Sequence, residues 1–198
     1  MNPSSRQSYR GVYLARSIHH QAGNKRNGSS IFSVPPKSLE AWLCDQDSLT
    51  RRLITASGGD FRVQVIRQGF VRPSRSEQNA LALPGRQVAM IREVLLLGRG
   101  QPWVYARSVV PLTTLCGRHR FLRHLGSKPL GALLFKDPSM RRGPIELIGV
   151  TTAEFGIPVL TGGGKEDAAW GRRSMFYLEG KPLLVAEFFL PLFTATVA

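Results

Sequence analysis

Alternation of apolar and polar positions predicts the strands of this chain. The stretch FRVQVIRQGFV (61–71) alternates and is typical of a β-strand. RQVAMIREVLLLG (86–98) and QPWVYARSVVP (101–111) predict a β-hairpin closed by the turn GRGQ. Further strands are expected within residues 144–155, 170–180 and 181–191, and the last two are joined by a tight turn at Glu179-Gly180.

Apolar residues at helical spacing predict four helices. The first helix begins at Ser38, and the second covers 48–57 with Asp47 as N-cap. The third covers 113–126, and the fourth covers 128–135 with Ser127 as N-cap. Helices followed by consecutive hairpins favour an α+β fold, with helices covering an antiparallel sheet in a single domain.

Charge adds one feature to this picture. The chain of 198 residues has 27 Lys and Arg against 13 Asp and Glu, a net charge of +14. Residues 1–36 contain no acid, and we expect a basic polar tail that is mobile, although such a composition also resembles a transit peptide. The remaining excess is scattered, which argues against a nucleic-acid partner. Without an apolar run of membrane-spanning length, we expect a cytoplasmic protein with no stable membrane insertion, and nothing in the sequence demands more than a monomer.

Motifs for metal or cofactor chemistry are missing from the sequence. TGGGKED (161–167) lacks the Walker spacing, since Val159 and Glu166 occupy two required positions. The four histidines have no Cys or carboxylate neighbours at ligand spacing, and no Ser or Cys lies in a nucleophile-elbow context. We therefore expect no metal and no cofactor, so an enzyme here would use carboxylates, arginines and backbone dipoles.

Glu187 is the one charge in the apolar run LLVAEFFLP (183–191). Both faces of a strand over this run are apolar, so register alone does not bring Glu187 to solvent. An unpaired buried carboxylate is costly. Glu187 therefore has a cationic partner, or a raised pKa, or lines a cavity whose contents require a carboxyl group.

Arg92 is the corresponding cation in VAMIREVLLLG. On a strand it shares a face with Met90 and Val94, while Glu93 points the other way. Arg92 and Glu93 could form a solvent-facing pair on an edge strand. Arg92 could instead point inward and hold a carboxylate in an apolar pocket. It could also pair with Glu187 as a structural ion pair.

Two helix starts add possible anion donors. The expected caps leave the backbone amides of Leu49, and of Leu130 and Gly131, without helical acceptors. Most such helix ends meet only water.

Taken together, several segments resemble the chorismate lyase family over about residues 38–191. They are DSLTRRL (47–53), IRQGFV (66–71), REVLL (92–96), PWVYARSVVPLTTLCG (102–117), LGSKPLGALLF (125–135) and WGRRSMFYLEGKPLLVAEFFLP (170–191). The resemblance implies a catalytic domain over residues 37–198 with an enclosed ligand pocket. It also implies that Arg92 and Glu187 contact the ligand and act in catalysis, and that backbone groups of Leu49 and Leu130 bind substrate.

The activity implied by the resemblance is a cofactor-free carbon–oxygen lyase. Such an enzyme converts chorismate to 4-hydroxybenzoate and pyruvate at the start of ubiquinone biosynthesis, and an enclosed site implies product inhibition. The alternative is a non-catalytic module that senses a small carboxylate, because effector domains of some bacterial regulators resemble this fold. The connection from Ile145 to Trp170, which contains TGGGKED, is longer than the family pattern implies.

Overall fold

The computed structural model describes residues 34–151 and 168–197. Its strands are β1 (Phe61–Val71), β2 (Ala89–Gly98), β3 (Gln101–Pro111), β4 (Arg141–Arg142), β5 (Glu146–Thr151), β6 (Ala168–Leu178) and β7 (Lys181–Phe189). Its helices are α1 (Lys37–Leu43), α2 (Leu49–Ala56), α3 (Arg75–Ala80), α4 (Leu130–Leu134) and α5 (Pro191–Val197), with a 3₁₀ helix at Gly117–His124. The tail of residues 1–33 and the TGGGKED loop lie outside the described residues.

One antiparallel sheet of seven strands organises the domain, in the order β1-β2-β3-β7-β6-β4, with β5 paired to β6. The centre of the sheet consists of two hairpins, β2–β3 and β6–β7, which are joined where β3 pairs with β7. Both hairpins turn through two residues with positive φ, namely Arg99-Gly100 and Glu179-Gly180. This left-handed geometry matches the twist of the flanking strands. The predicted α+β class with an antiparallel sheet is confirmed.

Helices cover one face of the sheet, which we call the inner face. There, apolar residues of α1, α2 and α5 pack on residues of the central strands, including Val94, Val104 and Phe189. Leu122 of the 3₁₀ helix and Leu130 of α4 pack beside them on Met90, Val110 and Leu183. The outer face is covered differently, since Leu81, which follows α3, packs on Ile91 and Val109 there. The inner face therefore lies between the sheet and most of the helices.

Several elements differ from the sequence predictions. The polar stretch after β1 contains α3, whose start is fixed by reciprocal bonds between Ser74 and Glu77. This capping box stabilises the first turn of α3, although the segment has little of the apolar periodicity that predicts a helix. The helix expected at 113–126 is a 3₁₀ helix over Gly117–His124, and the end of the chain forms α5 after Pro191.

Candidate functional site

A transverse row of side chains crosses the inner face at its centre. Arg92 of β2 lies opposite Ser108 of β3, Ser108 lies opposite Val185 of β7, and Val185 lies opposite Ser174 of β6. In the next row, Ala106, Glu187 and Arg172 face one another. Opposed residues of antiparallel strands project on the same side, so both rows face the helices. The small side chains at the centre leave room between the charged ones.

Arg92 is a buried cation that pairs with no carboxylate among the described residues. It is 2% exposed, and its Nη2 donates to the backbone oxygens of Gly126 (2.8 Å) and Lys128 (3.1 Å). Its Nε is buried and has no hydrogen-bond partner within the described residues. Burial lowers the pKa of Arg92, because desolvation disfavours the charged form. A buried guanidinium with an unused donor is costly unless an anion compensates it, so this position is suited to binding a carboxylate.

Glu93 lies on the opposite face from Arg92, so the two do not form a solvent-facing pair. Its carboxylate accepts two hydrogen bonds of 3.0 Å from Arg67 and another from Arg107. Arg107 also donates to Glu77 of α3 at 2.7 Å and 3.1 Å. These partners are all on the outer face. Of the alternatives for Arg92, the structure shows the one in which its side chain points inward.

The cationic partner of Glu187 is Arg172, not Arg92. Arg172 Nε donates to Glu187 Oε2 at 2.8 Å, and the two side chains are 2% and 17% exposed. Arg172 Nη1 also donates to the backbone oxygens of Trp42 (2.9 Å) and Asp45 (2.6 Å). Glu187 therefore lies in the site as a charge-compensated and fixed acceptor.

Sequence reasoning missed Arg172, although the chain contains a signal for it. The tight turn at Glu179-Gly180 pairs Leu178 with Lys181, and regular antiparallel pairing from there places Arg172 opposite Glu187. The hairpin is predicted from the sequence, and its register, followed back along β6, identifies Arg172 as the partner of Glu187.

A third guanidinium at the site, that of Arg142, was also missed. Arg142 Nε donates to Ser174 Oγ at 3.2 Å, and its Nη1 donates to the backbone oxygens of Asp45 (3.3 Å) and Gln46 (3.0 Å). Burial, and then the nearby charge of Arg172, lower the pKa of Arg142. It lies on β4, a strand of only two residues, which is too short to give a sequence pattern.

The helix starts at Leu49 and Leu130 meet above this face. The N-caps are Ser48 and Pro129, not the expected Asp47 and Ser127. Neither observed cap makes a side-chain capping bond, so the first-turn amides are not capped by a side chain. The two helices approach closely, since a Cβ on Gly131 would lie 3.1 Å from Thr50 Oγ1.

The arginines of the sheet hold the segments that lead into these helices. Arg92 binds the turn before α4, while Arg142 and Arg172 bind the connection between α1 and α2. Helices and sheet thus place the four predicted site residues on one side of the domain, namely Leu49, Arg92, Leu130 and Glu187.

This arrangement is chemically suited to binding an anion beside a carboxyl group. Across residues 34–151 and 168–197, no three His, Cys, Asp or Glu side chains group as metal ligands. In the same part of the chain, no helix is long and apolar enough to cross a membrane. The groups available for chemistry in the described part of the site are guanidinium donors, backbone amides and the carboxyl group of Glu187.

The fold defines a structural class that includes effector domains of bacterial transcriptional regulators. The effector domain of PhnF from Mycobacterium smegmatis superposes with a TM-score of 0.58 at 12% identity, covering 74% of this chain and 90% of that one. The ligand-binding domain of a GntR-family transcriptional regulator from Bordetella bronchiseptica gives a TM-score of 0.52 at 19% identity, covering 67% and 86%. At these identities the likeness concerns the fold alone.

Sequence comparison identifies the family within this class. The model of the chorismate lyase family matches residues 25–198. A protein of Methylococcus capsulatus named "Probable chorismate pyruvate-lyase" is 46% identical over 153 residues, covering 77% of this chain and 94% of the relative. A chorismate pyruvate-lyase of Salmonella newport is 39% identical over 162 residues, covering 82% and 87%. The chain belongs to the chorismate lyase family, which confirms the resemblance seen in its sequence.

Proposed function

We propose that this protein converts chorismate to 4-hydroxybenzoate and pyruvate, as the first step of ubiquinone biosynthesis in the cytoplasm, and that it acts as a monomer without a cofactor. The observation that carries this proposal is the buried, uncompensated guanidinium of Arg92 on the same sheet face as the fixed carboxylate of Glu187. Family membership supplies the reaction class, and this pair of groups fits its chemistry.

The reaction is an elimination that makes the ring aromatic. The bond between the ring and the ether oxygen breaks, and its electrons go to the departing enolpyruvate. The neighbouring ring carbon loses a proton, and the electrons of that C–H bond complete the aromatic ring. The enolpyruvate takes up a proton and becomes pyruvate. The protein has to position a dianion and stabilise the charge that moves onto the departing oxygen.

Each proposed residue has a role in this elimination. Arg92 holds a carboxylate of the substrate, with help from the backbone amides of Leu49 and Leu130. Glu187, bound to Arg172, accepts a hydrogen bond from the ring hydroxyl and takes the proton lost by the ring. The Arg172 bond fixes its orientation, so little reorganisation is needed during the reaction.

We also propose that the product is retained. A carboxylate bound to a desolvated guanidinium between sheet and helices leaves slowly, because the buried charge is again uncompensated when the ligand departs. 4-Hydroxybenzoate should therefore inhibit at concentrations well below millimolar, and inhibition only in the millimolar range would contradict an enclosed pocket.

The direct test follows the absorbance of 4-hydroxybenzoate after chorismate is added. We expect Glu187→Gln to lower kcat by roughly a hundredfold or more, which is the typical contribution of a general base. We expect Arg92→Gln to raise KM for chorismate and to weaken 4-hydroxybenzoate binding. Glu146→Gln is a matched control, because Glu146 is 55% exposed and pairs with Arg173 rather than with the site.

Two results would decide against the proposal. Unchanged turnover in both site variants would remove Glu187 and Arg92 from the mechanism. A wild-type protein that binds 4-hydroxybenzoate but leaves chorismate intact would instead support a carboxylate-sensing module, the function suggested by the shared fold of the regulator effector domains.

A further inference from the structure

The charges on the inner face do not balance. Three guanidiniums project there, from Arg92, Arg142 and Arg172, and Glu187 is the carboxylate that pairs with one of them. The nearby carboxylate of Asp45 is bound to Arg52, 3.0 Å away on the side of α2. Arg92 and Arg142 have no ion-pair partner within the described residues, so the described side chains of this face have an excess of two positive charges.

The two uncompensated cations lie at opposite ends of one row. Arg92 begins the row that continues through Ser108, Val185 and Ser174, and Arg142 Nε is bound to the hydroxyl of Ser174 at the other end. Three interstrand spacings separate the backbone of Arg92 from that of Ser174, about 14 Å. Both side chains reach inward from these ends. Between these ends the row consists of small or half-buried side chains, and its span suits a ring with a carboxylate on each side.

The hydrogen bonds of Arg142 leave its charge available. Its Nε and Nη1 donate to a hydroxyl and to two backbone oxygens, none of which carries a charge. Its Nη2 has no hydrogen-bond partner in the described part of the chain. Arg142 Cζ also lies 5.2 Å from the centre of the Phe176 ring, so the guanidinium is held in place by an aromatic face. A fixed guanidinium with an unused donor is prepared for a carboxylate.

We propose that Arg142 forms a second carboxylate subsite, which binds the carboxylate that Arg92 does not hold. For the proposed reaction, on which the identity of the ligand rests, we assign the enolpyruvyl carboxylate to Arg142 and the ring carboxylate to Arg92. The subsite then distinguishes a dianionic substrate from a monoanionic product. 4-Hydroxybenzoate keeps only the ring carboxylate and makes no ion pair with Arg142.

A purely structural role for Arg142 makes a different prediction. If Arg142 served only to fix the connection between α1 and α2, its loss would weaken all ligands alike. Arg52 provides a matched control, because it donates to Ala41 O and Asp45 Oδ2 in the same connection but from the side away from the sheet. Arg52→Gln loosens this connection without removing a charge from the site.

Equilibrium binding of two related ligands tests the subsite without turnover. Titration calorimetry compares 3-(carboxymethoxy)benzoate, which has a second carboxylate on an ether, with 3-methoxybenzoate, which lacks it. The wild-type protein should bind the dicarboxylate at least tenfold more tightly, the usual scale for a hydrogen bond to a charged group. Arg142→Gln should abolish this preference, Arg142→Lys should retain part of it, and Arg52→Gln should retain all of it. In steady-state assays, Arg142→Gln should raise KM for chorismate tenfold or more and change the Kd of 4-hydroxybenzoate less than threefold.

Three results would overturn the assignment. They are equal wild-type affinities for the two probes, a preference that survives in Arg142→Gln, and an equal weakening of both probes in that variant. The first needs no variant, so it remains decisive where Arg142→Gln does not fold. Failure of the proposed function is a separate result, since it appears as wild-type protein that does not convert chorismate, whatever the preference between the probes.

Discussion

Replacing Arg107 with methionine is expected to destabilise the protein by about 3 kcal/mol at pH 7. Arg107 lies on the outer face of β3 and binds both Glu77 and Glu93, whose side chains are only 11% and 12% exposed. Breaking a buried ion pair from one side costs roughly 3–5 kcal/mol, because an uncompensated charge stays buried. Glu93 keeps its two bonds to Arg67, whereas Glu77 loses its ion-pair partner, so the lower end of this range applies.

The pH dependence of the Arg107 variant should be opposite in sign to that of the wild type. Burial acts to raise the pKa of Glu77 and Glu93, but hydrogen bonds and charge from the arginines outweigh it and lower both pKa values. A carboxyl group with a lowered folded pKa contributes stability above its unfolded pKa of about 4.3, and this is lost as pH falls through the folded pKa. Without Arg107, burial dominates at Glu77, which loses its ion-pair partner, whereas Glu93 keeps its bonds to Arg67. The folded pKa of Glu77 then rises, and lowering the pH from 7 to 5 should stabilise the variant relative to wild type.

Urea unfolding of wild type and variants at pH 7 and pH 5 measures both effects. Arg67→Met is the control, because Arg67 binds the same Glu93 from a side chain that is 58% exposed and should cost less than about 1 kcal/mol. An Arg107→Met variant within about 1 kcal/mol of wild type at pH 7 would refute the reasoning about burial. A loss that stays equally large at pH 5 would refute the reasoning about charge.

Two further substitutions have matched controls close by. Gly171→Ala should destabilise the protein by about 2–3 kcal/mol in urea unfolding, since a Cβ there would lie 2.4 Å from Phe188 Cδ1. The control is Gly69→Ala, where a Cβ would have nothing within 4 Å, so this variant should be neutral or slightly stabilised. Equal effects of the two substitutions on the free energy of unfolding would contradict the packing argument. Arg172→Gln should lower kcat at least tenfold because it frees the carboxylate of the site. Arg173→Gln loses the pair with Glu146 and a hydrogen bond to Ser76, both on the other face, so it should retain activity; similar kcat values would contradict a positioning role for Arg172.

The sequence identified the central strands because their alternation and turn residues agree. Glu179-Gly180 and Arg99-Gly100 both adopt the left-handed conformation that a two-residue hairpin turn requires, and both turns were located from the sequence. The inward direction of Arg92 was one of the alternatives that strand alternation left open. Local rules were therefore sufficient to find the elements and to restrict the candidate residues to a few.

Register within the first hairpin could not be read from the sequence. The turn pairs Gly98 with Gln101, and regular pairing from there would place Arg92 opposite Arg107. An irregularity between Leu96 and Leu97 shifts the register by one, so Arg92 lies opposite Ser108 instead. This shift places a small hydroxyl side chain beside the guanidinium, and it depends on packing against other strands rather than on local residues.

Long-range contacts decided the charge partners for the same reason. Neighbouring residues have opposite surroundings. Glu93 binds two arginines on the outer face, whereas the hydrogen bonds of Arg92 to described residues all go to backbone oxygens on the inner face. The pattern shows which residues share a face of a strand but not what the other elements bring to that face. Arg142 is the hardest site residue to predict, because it lies on a strand of only two residues.

The site exists only where the two hairpins are paired. The hairpin β2–β3 supplies Arg92 and Ser108, the hairpin β6–β7 supplies Ser174 and Glu187, and the pairing of β3 with β7 brings them together. Closing such a long-range contact costs chain entropy, and here it also brings uncompensated positive charges to one buried face. A ligand with two carboxylates that engages Arg92 at one end and Arg142 at the other would offset this charge across the junction. Because it binds the paired state and not the separated hairpins, its binding energy would stabilise the same pairing that forms the site.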